Sequence, residues 1–265
     1  MKVETYETID LKKTHHNQIA ILRLNRPQSM NALNTKMASE IVSSLEILKY
    51  DPDLRVIILT AEGDKSFCVG ADLKERNGMS QRDWKKQHDI FERVTELIRE
   101  FPFPIICAVN GYALGGGMEI ALSCDMRTAN ENASFGLPEA KLGLIPGIGG
   151  TQMAIRVLPL AIAKEILFTG KRISATEAET YGLVNKVCRE ESLLEETIKL
   201  ASEIAENAPL SLKALKKVVN KGADCDLSTG IALELEAYYR CANSNDRLEG
   251  IYAFNEKRKP QWQGK

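Results

Sequence analysis

Apolar residues along this chain switch between two spacings, and the switches mark its elements. Over 18–24 they alternate as in a half-buried strand, and Asn25-Arg26-Pro27 closes the stretch with a turn signal. Met37, Ile41, Leu45 and Leu48 then recur at helical spacing, with Asn34 or Thr35 as the N-cap and Asp51-Pro52 as the stop. A short buried strand is predicted over 55–60, followed by a glycine-containing loop over 61–71. A long amphipathic helix over 81–100 ends before Phe101-Pro102, and a strand comes next over 104–109. A segment with helical spacing runs to about Cys124, and 125–129 reads as another short strand. The chain is then loop-like until a single helix predicted over 151–168. Strands alternating with helices predict an α/β domain.

From about Glu191 the pattern is helical only, with helices predicted over 193–206, 209–220, 227–241 and 246–256. Tyr238, Tyr239, Ile251 and Phe254 give this tail a large apolar surface. A layer covering the sheet and a subunit interface both fit that surface. No internal repeat of the 20–50-residue solenoid kind is evident in the sequence.

The run Ala113-Leu114-Gly115-Gly116-Gly117-Met118-Glu119 comes after the apolar 104–109 stretch and the turn pair Asn110-Gly111, and it opens a helical segment. Glycine has no Cβ, so a substrate atom can lie against the backbone. A helix start also offers unpaired N–H groups and the positive end of the helix dipole. Such a place suits a developing oxyanion, with a carboxylate one turn away to handle a proton. Two further segments add chemistry: Cys68-Val69-Gly70-Ala71-Asp72-Leu73-Lys74, and Phe135-Gly136-Leu137-Pro138-Glu139. Simpler roles also fit. Glu119 could complement a helix dipole, Glu139 could be a solvated loop acid, and Asp72 could bond its own backbone.

Composition narrows the possibilities. Lys plus Arg number 35 and Asp plus Glu 36, giving a net charge of −1 and no electrostatic attraction to nucleic acid or an anionic membrane. The helices over 35–50 and 81–100 interleave their basic residues with acidic ones, so neither presents a phosphate-tracking stripe, and a nucleic-acid-binding or scaffold role is disfavoured. No apolar run approaches the roughly 18–20 residues of a membrane span. The N-terminal stretch carries Glu4, Glu7 and Asp10, unlike a secretory signal or a transit peptide. Six scattered cysteines without a C-x-x-C pair point to a reducing, cytoplasmic compartment, or to the matrix for a trimmed organellar protein, with no zinc site. His88 shares a stripe with Trp84, Phe91 and Val94 and reads as a packing residue. Phosphate-loop, dinucleotide-binding, G-x-S-x-G and H-E-x-x-H motifs are all absent, so backbone donors and carboxylates remain.

In this light the chain resembles the crotonase family of enoyl-CoA hydratases and isomerases. The resemblance rests on Gly70-Ala71-Asp72-Leu73-Lys74, Asn110-Gly111-Tyr112-Ala113-Leu114-Gly115-Gly116-Gly117-Met118-Glu119, Phe135-Gly136-Leu137-Pro138-Glu139 and Ile145-Pro146-Gly147-Ile148-Gly149-Gly150-Thr151-Gln152, in that order. Asn25-Arg26-Pro27 with Asn31-Ala32-Leu33, and the tail Asp246-Arg247-Leu248-Glu249-Gly250 through Lys257-Arg258, extend it over nearly the whole chain. The resemblance implies a core of ββα turns wound into a spiral (residues 1–190) and a helical trimerisation region (191–265), with trimers that commonly pair into hexamers. It implies an acyl-CoA thioester substrate and no separate cofactor or metal. Glu119 and Glu139 would be the catalytic acids, and the N–H groups of Ala71 and Gly116 the oxyanion hole. Arg26, Ala32, Leu33, Asp72, Leu73 and Lys74 would line the CoA site, while Phe254 and Lys257 would reach the CoA of a neighbouring subunit. Acids at both 119 and 139 favour hydration of a short-chain 2-enoyl-CoA over double-bond isomerisation. The 71–76 and 246–250 stretches also resemble the methylglutaconyl-CoA hydratase branch.

Overall fold

A computed structural model describes residues 5–265, so the first four residues of the acidic N-terminal stretch lie outside it. The chain runs β1 (Ile9–Thr14), β2 (Ile19–Leu24), α1 (Thr35–Leu48), β3 (Val56–Ala61), β4 (Ser66–Cys68), α2 (Leu73–Arg76), α3 (Gln81–Glu100), β5 (Ile105–Val109), β6 (Tyr112–Leu114), α4 (Gly116–Ser123), β7 (Met126–Asn130) and β8 (Ser134–Gly136). It continues through α5 (Gly150–Val157), α6 (Leu160–Thr169), β9 (Arg172–Ser174), α7 (Ala175–Thr180), β10 (Lys186–Cys188), α8 (Leu193–Ala205), α9 (Pro209–Gly222), α10 (Leu227–Ala242) and α11 (Asn245–Glu256).

Two sheets organise the core, one in the order β1-β2-β3-β5-β7-β10 and the other β4-β6-β8-β9. Each turn of chain places its first strand (β3, β5, β7) in the larger sheet and its second (β4, β6, β8) in the smaller. Neighbours among these strands are parallel, whereas β1–β2 and β8–β9 pair antiparallel. The corners are tied to one another: Asn110 Nδ2 donates to Gly63 O at 2.6 Å and Asn130 Nδ2 to Asn110 O at 2.9 Å. The ββα spiral implied by the resemblance is therefore present. Its turns have unequal lengths, because long α3 lies between the first and second while short α4 lies between the second and third. A repeat of structure thus leaves no fixed period in the sequence.

Strands β3 and β5 are buried along their whole length, as expected of parallel strands covered on both faces. Side chains alternate between those faces. Ile57, Leu59, Ile105, Cys107 and Val109 join the main core with α1, α3 and α4, while Val56, Ile58, Ile106 and Ala108 meet Leu193, Ala201 and Ala205 of α8. The helical tail accordingly divides. Helix α8 is a layer on the sheet, while α9–α11 leave Val219, Leu227, Tyr238, Tyr239 and Phe254 well exposed.

Other sequence expectations need correction. The 61–71 loop contains β4, the loop-like stretch after 129 contains β8 and a 3₁₀ turn at Pro138–Leu142, and β1 and β6 have no counterpart among the expected strands. The helix expected over 151–168 is two helices, broken because Pro159 forces Leu158 into an extended conformation (φ −99°, ψ 151°).

Candidate active site

Strands β4, β6 and β8 lie side by side and parallel, so their carboxyl ends open onto one place. Beyond those ends the chain continues as Gly70-Ala71, Gly115-Gly116 and Pro138-Glu139, respectively. Three segments far apart in sequence become neighbours through strand pairing alone. Ligands commonly bind outside the carboxyl ends of parallel strands.

The Ala71 N–H is aimed by a short parallel bridge between Leu33 and Ala71. Leu33 N donates to Gly70 O at 2.8 Å and Asp72 N donates to Leu33 O at 2.9 Å. Backbone groups alternate in direction along an extended chain, so the N–H of Ala71 points away from Leu33, on the side where Gly116 lies. A Cβ built on Gly116 would stand 3.8 Å from Ala71 N and 3.6 Å from Gly70 Cα. Gly116 is the first residue of α4, where the N–H has no partner within the helix. Neither N–H donates to an acceptor among the described residues. Two free donors therefore flank one small space at the positive end of a helix.

The two carboxyls border the same space. A Cβ on Gly115 would lie 2.9 Å from Glu139 Oε1, which places that carboxyl against the glycine run, and the φ of +53° at Gly115 favours glycine there. Glu139 Oε2 is buried and accepts no hydrogen bond. Burial, with the charge of Glu119 adding to it, pushes the Glu139 carboxyl up to about 7. Glu119, one turn into α4, is buried, and its Oε1 accepts from Ile148 N at 2.9 Å and Gly150 N at 2.7 Å. Burial raises this carboxyl too, against the opposing pull of the Gly150, Ile148 and Gly147 N–H groups. One acid is thus held by N–H donors that favour its ionised form, and the other is left desolvated.

The stretch from Gly147 to Gly150 belongs to one of the family motifs, and its role as donor to Glu119 is visible only in the structure. Its one signal in the sequence is the density of glycine just before a helix. Gly117 has a different purpose: a Cβ there would lie 2.0 Å from Cys68 O, so glycine lets α4 close onto β4.

The expected CoA-lining residues divide. Arg26 Nη2 pairs with Asp72 Oδ2 at 2.9 Å and its Nη1 donates to Ala32 O at 2.6 Å, while Asp72 Oδ1 caps α2 by accepting from Lys74 N at 3.1 Å. Arg26, Ala32 and Asp72 therefore fasten the loop before α1 to the Ala71 loop. The Leu33 side chain is fully buried, so only its backbone reaches this region. Leu73 and Lys74 are exposed beside it. Phe254 (83% exposed) and Lys257 stand at the end of α11. Arg258 pairs with Glu249 and Glu256, and Lys259 with Glu206, the arrangement of a solvated terminus. His88 stacks on Trp84 with ring centroids 5.0 Å apart. No three His, Cys, Asp or Glu side chains gather as metal ligands among the described residues, and among those residues no helix is long and apolar enough to cross a membrane.

Comparison with known proteins agrees with this geometry. The family model described as enoyl-CoA hydratase/isomerase matches residues 14–265. The chain is 40% identical over 242 residues to the short-chain-enoyl-CoA hydratase of Clostridium acetobutylicum, covering 91% of this chain and 93% of that protein. It is 41% identical over 254 residues to the crotonyl-CoA hydratase of Syntrophomonas wolfei, covering 96% of this chain and 97% of that one. The crystal structure of an enoyl-CoA hydratase from Bacillus anthracis superposes with a TM-score of 0.96 at 40% identity, covering 98% of this chain and 100% of that chain.

Proposed function

The chain belongs to the enoyl-CoA hydratase/isomerase family, and on that premise we propose that it is a hydro-lyase adding water across the 2,3-double bond of short-chain 2-enoyl-CoA thioesters. The observation that carries this reading is the convergence of two unpartnered N–H groups, from Ala71 and Gly116, with two carboxyls of unlike environment. Attack on C3 of a conjugated thioester moves charge onto the carbonyl oxygen, where the two N–H groups receive it. Losing one such donor typically costs about 3–4 kcal/mol of transition-state stabilisation.

Environment divides the proton work. Glu119, with N–H donors on its carboxylate, is the base that orients water and takes its proton as the oxygen bonds to C3. Glu139, holding its proton near neutral pH, is the acid that protonates C2. The turnover leaves the proton on Glu119 rather than Glu139, and exchange with solvent restores the pair. The charge of Glu119 raises the Glu139 carboxyl, so the two acids titrate as a coupled pair rather than independently.

The names of the Clostridium and Syntrophomonas relatives support the short-chain preference. The exposed apolar faces of α9–α11 support self-association to a trimer or hexamer, in which Phe254 and Lys257 would meet the CoA of a neighbour. Leu73 and Lys74 would line the chain's own CoA site. Coenzyme A belongs to the substrate, and no further cofactor is required.

Loss of the enoyl absorbance of crotonyl-CoA tests the reading. The wild-type protein should hydrate it, and Glu119→Gln and Glu139→Gln should each lose roughly 10²- to 10⁴-fold in kcat while keeping their fold. Full activity in either variant refutes the two-acid assignment. Rates on 3-methylglutaconyl-CoA and on a 3-enoyl-CoA, measured beside crotonyl-CoA, test the substrate and the reaction.

A further inference from the structure

The donors that hold Glu119 come from Pro146-Gly147-Ile148-Gly149-Gly150, a stretch in which three of five residues are glycine. Glycine restricts the backbone least, so such a loop does not keep its N–H groups aimed without outside restraint. The restraint comes from one face of α3. Residues 88, 95 and 99 fall on that face, and each meets one of three successive loop residues. A Cβ on Gly147 would lie 2.8 Å from the His88 ring, Thr95 Oγ1 donates to Ile148 O at 2.9 Å, and Arg99 Nη1 lies 3.5 Å from the Cβ position of Gly149.

Of the three, the Thr95 contact is the directional one. Thr95 is 1% exposed and Ile148 6%. The hydroxyl also lies 3.1 Å from Glu92 O, inside its own helix. It has one proton, and the Glu92 carbonyl already has the α-helical N–H as donor. No other donor reaches Ile148 O among the described residues. A buried carbonyl left unpaired is costly, so the proton belongs to Ile148. Ile148 is thereby held at both ends, by Thr95 on its carbonyl and by Glu119 on its N–H.

We infer that Thr95 is a positioning residue for the hydration step, its hydroxyl fixing the Ile148 peptide so that the Ile148 and Gly150 N–H groups stay directed at the Glu119 carboxylate. The inference rests on the proposed role of Glu119 as base. Without the hydroxyl the loop relaxes, the donors loosen, and the carboxylate loses both its orientation and part of its stabilisation.

Two substitutions separate positioning from volume. Thr95→Val keeps the shape and removes the hydroxyl, and Thr95→Ser keeps the hydroxyl and removes a methyl. The first readout is kcat and KM on crotonyl-CoA. The second is the titration of Glu119 by ¹³C NMR of carboxyl-labelled protein, its signal assigned by loss in Glu119→Gln. Thr95→Val should lower kcat roughly 10- to 100-fold with KM little changed, the size of effect expected of a small misplacement of a catalytic group. It should also move the Glu119 midpoint upward, while Thr95→Ser stays close to wild type in both readouts. If Thr95→Val matches wild type in kcat and titration, or Thr95→Ser is the damaged variant, the inference is overturned. Should Thr95→Val not fold, Thr95→Ser decides alone. Should wild type not hydrate crotonyl-CoA, the proposed function fails, and the titration still tests the link from Thr95 to Glu119.

Discussion

Adjacent glycines in this site obey different constraints, which makes them separable by experiment. A methyl on Gly116 meets nothing nearer than 3.6 Å, whereas one on Gly117 would lie 2.0 Å from a backbone oxygen. Gly116→Ala should therefore fold with wild-type thermal stability and lose about 10²- to 10³-fold in kcat, because the methyl stands between the two oxyanion donors. Gly117→Ala should lose at least roughly 1–3 kcal/mol of stability in a urea titration, since β4 must move away. Glu139 gives a second residue-level expectation. Its carboxyl lies near 7 in the folded chain against an ordinary value of 4.5. Between those pH values the unfolded chain has released the proton and the folded chain has kept it, so the unfolded state binds fewer protons and stability falls as pH rises. Melting temperature measured across that window should decline more steeply in wild type than in Glu139→Gln. A hydration rate that depends on protonated Glu139 should fall as pH passes about 7.

Elements reach the site through anchors that are themselves side chains. Helix α9 is fixed to the core by Lys216, whose buried Nζ donates to Ile98 O and Phe103 O at 3.1 Å and to Asp125 Oδ2 at 2.8 Å. Loss of Lys216 takes a donor from two carbonyls and the cation from Asp125, which keeps the Ile105 N–H at 2.7 Å, and each unmet buried group costs about 1–3 kcal/mol. Lys216→Ala should lower stability by about 3 kcal/mol in a denaturant titration. Protease sensitivity should appear first in α9–α11, because α8 remains packed on the sheet. Helix α4 carries more of the site than any other element: its N-terminus presents Gly116, its first turn carries Glu119, and Arg127 closes its far end by donating to Ala121 O and Cys124 O.

For the molecule as a whole, the surface left by α9–α11 predicts association. Sedimentation or light scattering should give three or six times the chain mass. If Phe254 and Lys257 serve a neighbour's CoA, Phe254→Ala and Lys257→Ala should raise KM for crotonyl-CoA a few-fold and leave kcat unchanged, because neither touches the reacting carbons. A monomer with full activity would remove both expectations.

Local sequence was enough wherever a segment's own periodicity and caps decide its form. The helix read as 81–100 is observed as Gln81–Glu100 with Ser80 as its cap, and the helix after Asn34 starts at that cap. The residues singled out by the family motifs, Glu119, Glu139, Ala71 and Gly116, lie on segments that strand pairing brings to one place. Strands β4, β6 and β8 were illegible, because three residues are too few to show a period and only pairing with a neighbour makes them strands. The break at Pro159 is also a local signal, because a proline disfavours helical geometry in the residue before it. Which partners the site residues take was decided by tertiary structure: Arg26 for Asp72, Ile148 and Gly150 for Glu119, Thr95 for Ile148. Those contacts join residues distant in sequence, and a one-dimensional pattern carries no information about which buried donor will meet which acceptor until the sheets bring them together.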